Sequence, residues 1–172
     1  MKKLLILVII LGVVALGTAS YTGLFSSIAF EERNEGPFYV VYEDHEGAYQ
    51  LIQSVIKDVT KRLDEQNIPY GDGIAVLYDD PKTVPADQLK SKGGVLVGDQ
   101  VSVDSPMAFT SLPYNHYLVG TFSGMSAVGT MRVYKKAEEW MKANGKTLNG
   151  PIIEIYNGKG IKQNIFYYFP IN

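Results

Sequence analysis

One carboxylate interrupts an otherwise aliphatic run near the end of this 172-residue chain: Glu154, in Pro151-Ile-Ile-Glu-Ile-Tyr156. In a strand, successive side chains point to opposite faces. Ile153 and Ile155 then share one face, which reads as core, and Ile152, Glu154 and Tyr156 share the other. A carboxylate in an apolar cleft is costly unless a cation or a hydrogen-bond donor meets it, so Glu154 either reaches water or awaits a ligand. The second case offers two chemistries. Among aromatic rings Glu154 would anchor an organic cation; beside water it would act as a general base and is the leading catalytic candidate. Tyr156 and Tyr78 each end an aliphatic strand-like run. They read as pocket walls carrying a hydroxyl, or equally as a cross-strand aromatic pair. Trp140, beside Ala137 and Met141 on a helical pattern, reads as core or as a ring presented to a ligand. His45, two residues before Gly47 at a strand-to-helix turn, reads as a ligand contact and possible base, or as a residue that satisfies the turn. Asp79-Asp80 before Pro81 reads as a turn and not a metal site, and Lys90-Ser-Lys92 as a solvated loop.

Two similar units position these residues. The first runs through the strand Phe38–Tyr42 and a helix from about Ala48 to Gln66, with Leu51, Ile52, Val55, Ile56, Val59 and Leu63 on one face. The strand Ile74–Tyr78 and a closing strand near Gly94–Val97 complete it. The second runs through His116–Gly120, a helix from about Ser126 to Ala143 stopped by Asn144-Gly145, the strand Ile152–Tyr156, the Gly158-Lys159-Gly160 turn and Ile165–Phe169. Setting the units side by side matches Tyr78 with Tyr156 and Val76 with Glu154. The expected fold is α+β: duplicated strand–helix–strand–strand units forming one antiparallel sheet with two helices on one face. The cleft is expected at the uncovered sheet face or at the seam between units.

Composition narrows the function. The chain is 46% apolar and 20% charged, and residues 31–172 carry 14 basic against 18 acidic side chains. That excess of acid predicts no nucleic-acid footprint. The chain lacks cysteine and has only two histidines, which removes thiol catalysis and a histidine-rich metal site. No P-loop, dinucleotide fingerprint or HExxH motif is present, so no cofactor and no metal are expected.

Residues 1–30 read as an N-terminal membrane anchor and 31–172 as the globular domain. Lys2-Lys3 precede the wholly apolar Leu4–Leu16, and no charge follows until Glu31. This span exceeds the roughly 20 residues that cross a bilayer. Gly17-Thr18-Ala19 would also serve as a signal-peptide cleavage site, but Tyr21 and Phe25 suit an interfacial position and favour a retained anchor. Lysines before the segment and glutamates after it place the N-terminus in the cytoplasm and the domain outside it.

The strings His45-Glu-Gly-Ala-Tyr49, Ile74-Ala-Val-Leu-Tyr-Asp-Asp-Pro81 with Val84-Pro85, Glu138-Glu-Trp-Met-Lys-Ala-Asn-Gly145 and Pro151–Tyr156, in this order, resemble the GyrI-like small-molecule-binding domain family. The resemblance covers about Gly36 to Ile171. It implies a ligand-binding domain akin to drug-sensing effector domains, a gyrase inhibitor and some hydrolases of strained cyclopropane-type electrophiles. It also implies that a strand glutamate among aromatics, here Glu154, meets a cationic or polar ligand. An apolar helix ending in Tyr21-Thr-Gly-Leu24 before such a domain resembles the testis-expressed endoplasmic-reticulum autophagy receptor and its relatives. Because the chain ends at Asn172, directly after the last strand, what that likeness implies is the anchored domain alone. The leading expectation is a membrane-anchored module that captures an amphipathic cation, with Glu154, Tyr156, Tyr78, Trp140 and His45 as contacts. A hydrolase using Glu154 as base, and a membrane adaptor docking a protein partner, are the alternatives.

Overall fold

The computed structural model describes residues 1–158, 160 and 162–172, so Lys159 of the glycine turn lies outside the described residues. The elements are α1 (Lys2–Tyr21), β1 (Ala29–Glu35), β2 (Phe38–Glu46), α2 (Ile52–Glu65), β3 (Gly73–Leu77), β4 (Lys90–Leu96), β5 (Ala108–Leu112), β6 (Asn115–Gly124), α3 (Ser126–Ala143), β7 (Ile152–Asn157) and β8 (Gln163–Pro170). The strands form one antiparallel sheet in the order β1-β6-β8-β7-β3-β4-β2-β5. The two expected units are β2-α2-β3-β4 and β6-α3-β7-β8. They meet where β3 pairs with β7.

Three details differ from the sequence reading. Lys90-Ser-Lys92 belongs to β4, where Lys92 pairs with Val76, and is not a loop. Leu51 ends a short 3₁₀ turn (Tyr49–Leu51) before α2 and is exposed; the buried stripe of α2 is Ile52, Ile56, Val59 and Leu63. Two strands, β1 and β5, were not foreseen. Each precedes the first strand of one unit yet pairs with the other: β1 with β6, and β5 with β2.

That exchange bends the sheet. β1 and β2 stand at opposite ends of the strand order but are joined only by Gly36-Pro37, at most roughly 10 Å of chain. The two ends of the sheet must therefore curl toward each other. The β1–β2 and β5–β6 links touch: Gly36, at φ +121°, lies where a Cβ would come within 2.9 Å of the Tyr114 backbone. The concave face so formed is filled by its own side chains. Val40, Ile74, Val76, Val119, Ile153 and Ile155 pack there with Tyr117 and Tyr168, whose rings meet edge-on at 5.4 Å. The face opposite carries α2 over β2, β3 and β4 and α3 over β6 and β8. The open sheet face is thus no cleft, and the seam between units is where space remains.

α1 has no buried residue and stands clear of the domain. By length and composition it could cross a membrane, a test that a signal sequence also meets.

Candidate ligand-binding site

A row of helix-facing residues crosses the sheet. Strand register aligns Gly93 on β4, Ala75 on β3, Glu154 on β7, Tyr167 on β8 and Gly120 on β6. The outer glycines let the helices sit low. A Cβ on Gly93 would meet Ile52 and Val55 of α2 at 3.0 Å, and one on Gly120 would meet Val133 of α3 at 2.8 Å. Between these two seats lies a cleft of about 1240 Å³. α2 lines it with Ile52 and Gln53, and α3 with Thr130, Met131, Tyr134, Glu138 and Met141. The sheet supplies Leu77, Ile152, Glu154, Tyr156 and Phe169.

Ala75 faces Glu154 at the centre of the β3–β7 pairing. The approximate twofold between the units therefore equates Glu154 with Ala75 and Tyr156 with Leu77. The match of Val76 with Glu154 and Tyr78 with Tyr156 is corrected by the pleat: Val76 packs on the concave face with Ile153, while Ala75, Leu77 and Tyr156 pack under the helices. The small side chain at Ala75 also leaves room beside the acid.

Glu154 is 3% exposed. Its Oε1 accepts a 2.7 Å hydrogen bond from the Tyr134 hydroxyl, and its Oε2 accepts one from the Tyr156 hydroxyl. Burial pushes the Glu154 carboxyl above its ordinary value, and the two phenol bonds pull it part of the way back. Burial, reinforced by the Glu154 charge, holds both phenols well above the usual tyrosine range, so they remain donors. Among the described residues no lysine or arginine pairs with Glu154; Arg33, Lys61, Arg62, Lys82 and Lys92 meet Glu31, Glu35, Glu43, Asp44, Glu65 and Glu138 instead. One further polar group of the cleft lining, the Gln53 amide nitrogen, is buried without a partner among the described residues; the Tyr167 hydroxyl, also without one, lies under α3 beside Gly129 and outside the lining. Buried polar atoms are almost always paired, so an orphan amide beside an acid without countercharge marks a surface shaped for something other than the protein itself. At the mouth, Lys82 Nζ reaches Glu138 Oε2 at 2.9 Å and ties the β3–β4 loop to α3.

The cleft lining takes in three of the five residues singled out by sequence: Glu154, Tyr156 and Tyr78. Tyr78 is half exposed at the rim, and its phenol, raised by burial, is electrostatically coupled to Lys92, Tyr42 and Asp44. Lys92 pairs with Val76 on β3, which places that neighbourhood on the opposite face of the sheet from Glu154. Trp140 packs from α3 against the helix-side core and is not part of the lining. His45 stands at the end of β2, its Nε2 3.4 Å from the Ala48 carbonyl, and also lies outside the lining. Tyr134 and Gln53 were not foreseen as site residues. Tyr134 was legible only as an apolar position on the α3 face, since its hydroxyl finds Glu154 only once α3 is laid over β6 and β8. Among the described residues no cluster of three or more His, Asp or Glu side chains could hold a metal ion.

Comparison with known proteins agrees with this architecture. No curated protein matches the chain, so the likeness to the testis-expressed receptor is not shown. Among solved structures, the crystal structure of the EcmrR C-terminal domain superposes with a TM-score of 0.65 at 16% identity, covering 85% of this chain and 97% of that one. EcmrR in complex with DNA gives 0.68 at 13% identity, over 85% of this chain but only 57% of that chain. SAV2435 bound to tetraphenylphosphonium gives 0.53 at 14% identity, over 84% and 94%. At these identities the likeness is one of fold. The family profile described as the GyrI-like small molecule binding domain matches residues 29–164. With a match over that much of its length, its curled eight-stranded sheet and the cleft between its two helices, this chain belongs to the GyrI-like small-molecule-binding family.

Proposed function

We propose that the protein is a membrane-anchored binding module that captures a small amphipathic cation, with Glu154 as the anionic anchor and Tyr156 and Tyr134 as its aromatic setting. One observation carries this reading: a buried carboxylate, held by two phenols and by no basic side chain among the described residues, faces a cleft of about 1240 Å³. Burying an acid without countercharge is costly, and an organic cation supplies the missing charge. Leu77, Ile152 and Phe169 offer the apolar wall that the rest of an amphipathic ligand needs. Tetraphenylphosphonium, the ligand in the SAV2435 structure, has this chemistry and is the natural first probe. The apolar helix α1 supports anchoring, and Lys2 and Lys3 before it support an extracytoplasmic domain. A thermal-shift screen of organic cations tests the reading. Cations should stabilise the wild type more than Glu154→Gln, and a screen in which none does so refutes it.

One observation favours a second reading, hydrolysis. Glu154, its carboxyl held above the ordinary value by burial, lines the cleft together with the Tyr134 and Tyr156 phenols, a grouping in which a base and an oxyanion donor can serve one substrate. Turnover of a strained electrophile that survives Glu154→Gln removes this mechanism. The adaptor reading calls for a filled seam, and the open cleft beside Glu154 speaks for a ligand instead.

A further inference from the structure

The segment that leaves α1 is fastened to the wall of the cleft. The Thr22 carbonyl accepts the Met125 N–H at 3.0 Å, the Gly23 carbonyl accepts from Arg132 at 2.7 Å, and Ser26 Oγ donates to the Ser123 carbonyl at 2.7 Å. Met125 lines the cleft and is followed at once by α3, whose Ser126 and Ala127 line it too. The point where the apolar helix ends and the nearer end of the cleft are thus one hydrogen bond apart. α1 itself has no buried residue, so nothing folds it back over the opening.

Charge is distributed unevenly along this cleft. From Met125 to Met131 the α3 wall carries no charge, and Met131 is 65% exposed. The charged lining other than Glu154 begins at Lys135 and gathers toward the far end with Glu138 and Lys82. Beside the uncharged end, Tyr21 and Phe25 are exposed at the helix exit, as suits a lipid–water boundary.

We propose that the cleft is loaded from the bilayer: its end at Met125, Ser126 and Ala127 lies at headgroup level, and its ligand class is a lipophilic organic cation already partitioned into the membrane. This rests on the anchored, cation-binding reading given above. The arrangement makes capture a short transfer within a surface layer, where the ligand is concentrated, instead of an encounter from dilute solution.

The test uses the full chain in phosphatidylcholine vesicles with tetraphenylphosphonium as probe. Because the chain has no cysteine, a spin label can be placed singly. Ala127→Cys marks the proposed membrane end, and Lys142→Cys marks a point about 22 Å further along the same helix. Lipid-dissolved oxygen should relax the first label and a water-soluble relaxant the second. A Gly/Ser spacer of about 12 residues inserted between Tyr21 and Thr22 leaves the Thr22–Ser26 contacts intact while lifting the domain by roughly 20 Å. It should lower the association rate in vesicles about tenfold, as the local ligand concentration is lost, while leaving the affinity in detergent unchanged. Labels that both report water, or a spacer that leaves the rate in vesicles unaltered while binding in detergent is intact, overturn membrane loading alone. Absence of binding in detergent by the unmodified chain overturns the cation-binding reading, and loading with it.

Discussion

Replacing Glu154 by glutamine keeps the shape of the cleft floor and removes its charge. A phosphonium centre shielded by aryl groups approaches a carboxylate oxygen no closer than about 6 Å, and at an effective dielectric of about 20 such a pair is worth roughly 2.8 kcal/mol. That corresponds to a loss of about 100-fold in Kd. The loss should be specific to charge, so a neutral aryl compound of similar size should bind wild type and variant within about threefold, since the apolar wall of Leu77, Ile152 and Phe169 is unchanged. Isothermal calorimetry at neutral pH with both compounds provides the comparison. An equal loss for the charged and neutral compounds would mean that the substitution had damaged the pocket and not its electrostatics. A cation affinity unchanged within about threefold would refute the assignment of Glu154 as anchor, because no solvent route screens a side chain that is 3% exposed.

The same carboxyl predicts a pH signature. Burial raises its pKa in the folded state above the ordinary 4.5, so between those two values the folded protein holds more protons than the unfolded chain. This group's stability is full below the unfolded value and is lost as pH rises through the folded one. Denaturant midpoints should therefore fall for wild type relative to Glu154→Gln as pH rises above the ordinary carboxylate value, and cation affinity should rise in the same direction as the carboxylate forms. Tyr134→Phe removes the donor to Oε1 while keeping a ring beside Tyr167 and Phe169. It should cost about 1.5–3 kcal/mol at neutral pH by urea titration, and less in acid. Gly129→Ala should destabilise by about 1–3 kcal/mol, because the added Cβ would lie 2.3 Å from the Tyr167 hydroxyl and 2.7 Å from Phe122.

Apolar patterning together with turn and helix-stop residues revealed the eight elements of the two units, and the alternation around Glu154 correctly separated Ile153 and Ile155 from Ile152 and Tyr156. β1 escaped notice because Ala29-Phe-Glu-Glu-Arg-Asn-Glu35 is an edge strand that keeps one face in water. Its charges, which guard such an edge against pairing with other chains, look like a linker. β5 is short and bracketed by prolines, and its pairing with β2 spans most of the first unit. The companions of Glu154 were hidden for a different reason. Tyr134 and Gln53 come from separate helices and share the cleft with the acid only through the angle at which those helices cross the sheet. No local spacing encodes that angle.

The exchange of first strands has a consequence for synthesis. β1 pairs only with β6, which the ribosome delivers about 80 residues later, at roughly 5–20 residues per second. For those seconds the nascent first half displays an unpaired β2 edge and a detached N-terminal ribbon, and the ribbon's glutamates keep it hydrated and unsticky while it waits. Neither half can close its sheet until the other exists. The two units are therefore a single cooperative object from the first moment they are stable, and a chain cut in the connection between β4 and β5 should regain its fold only when both pieces are present together.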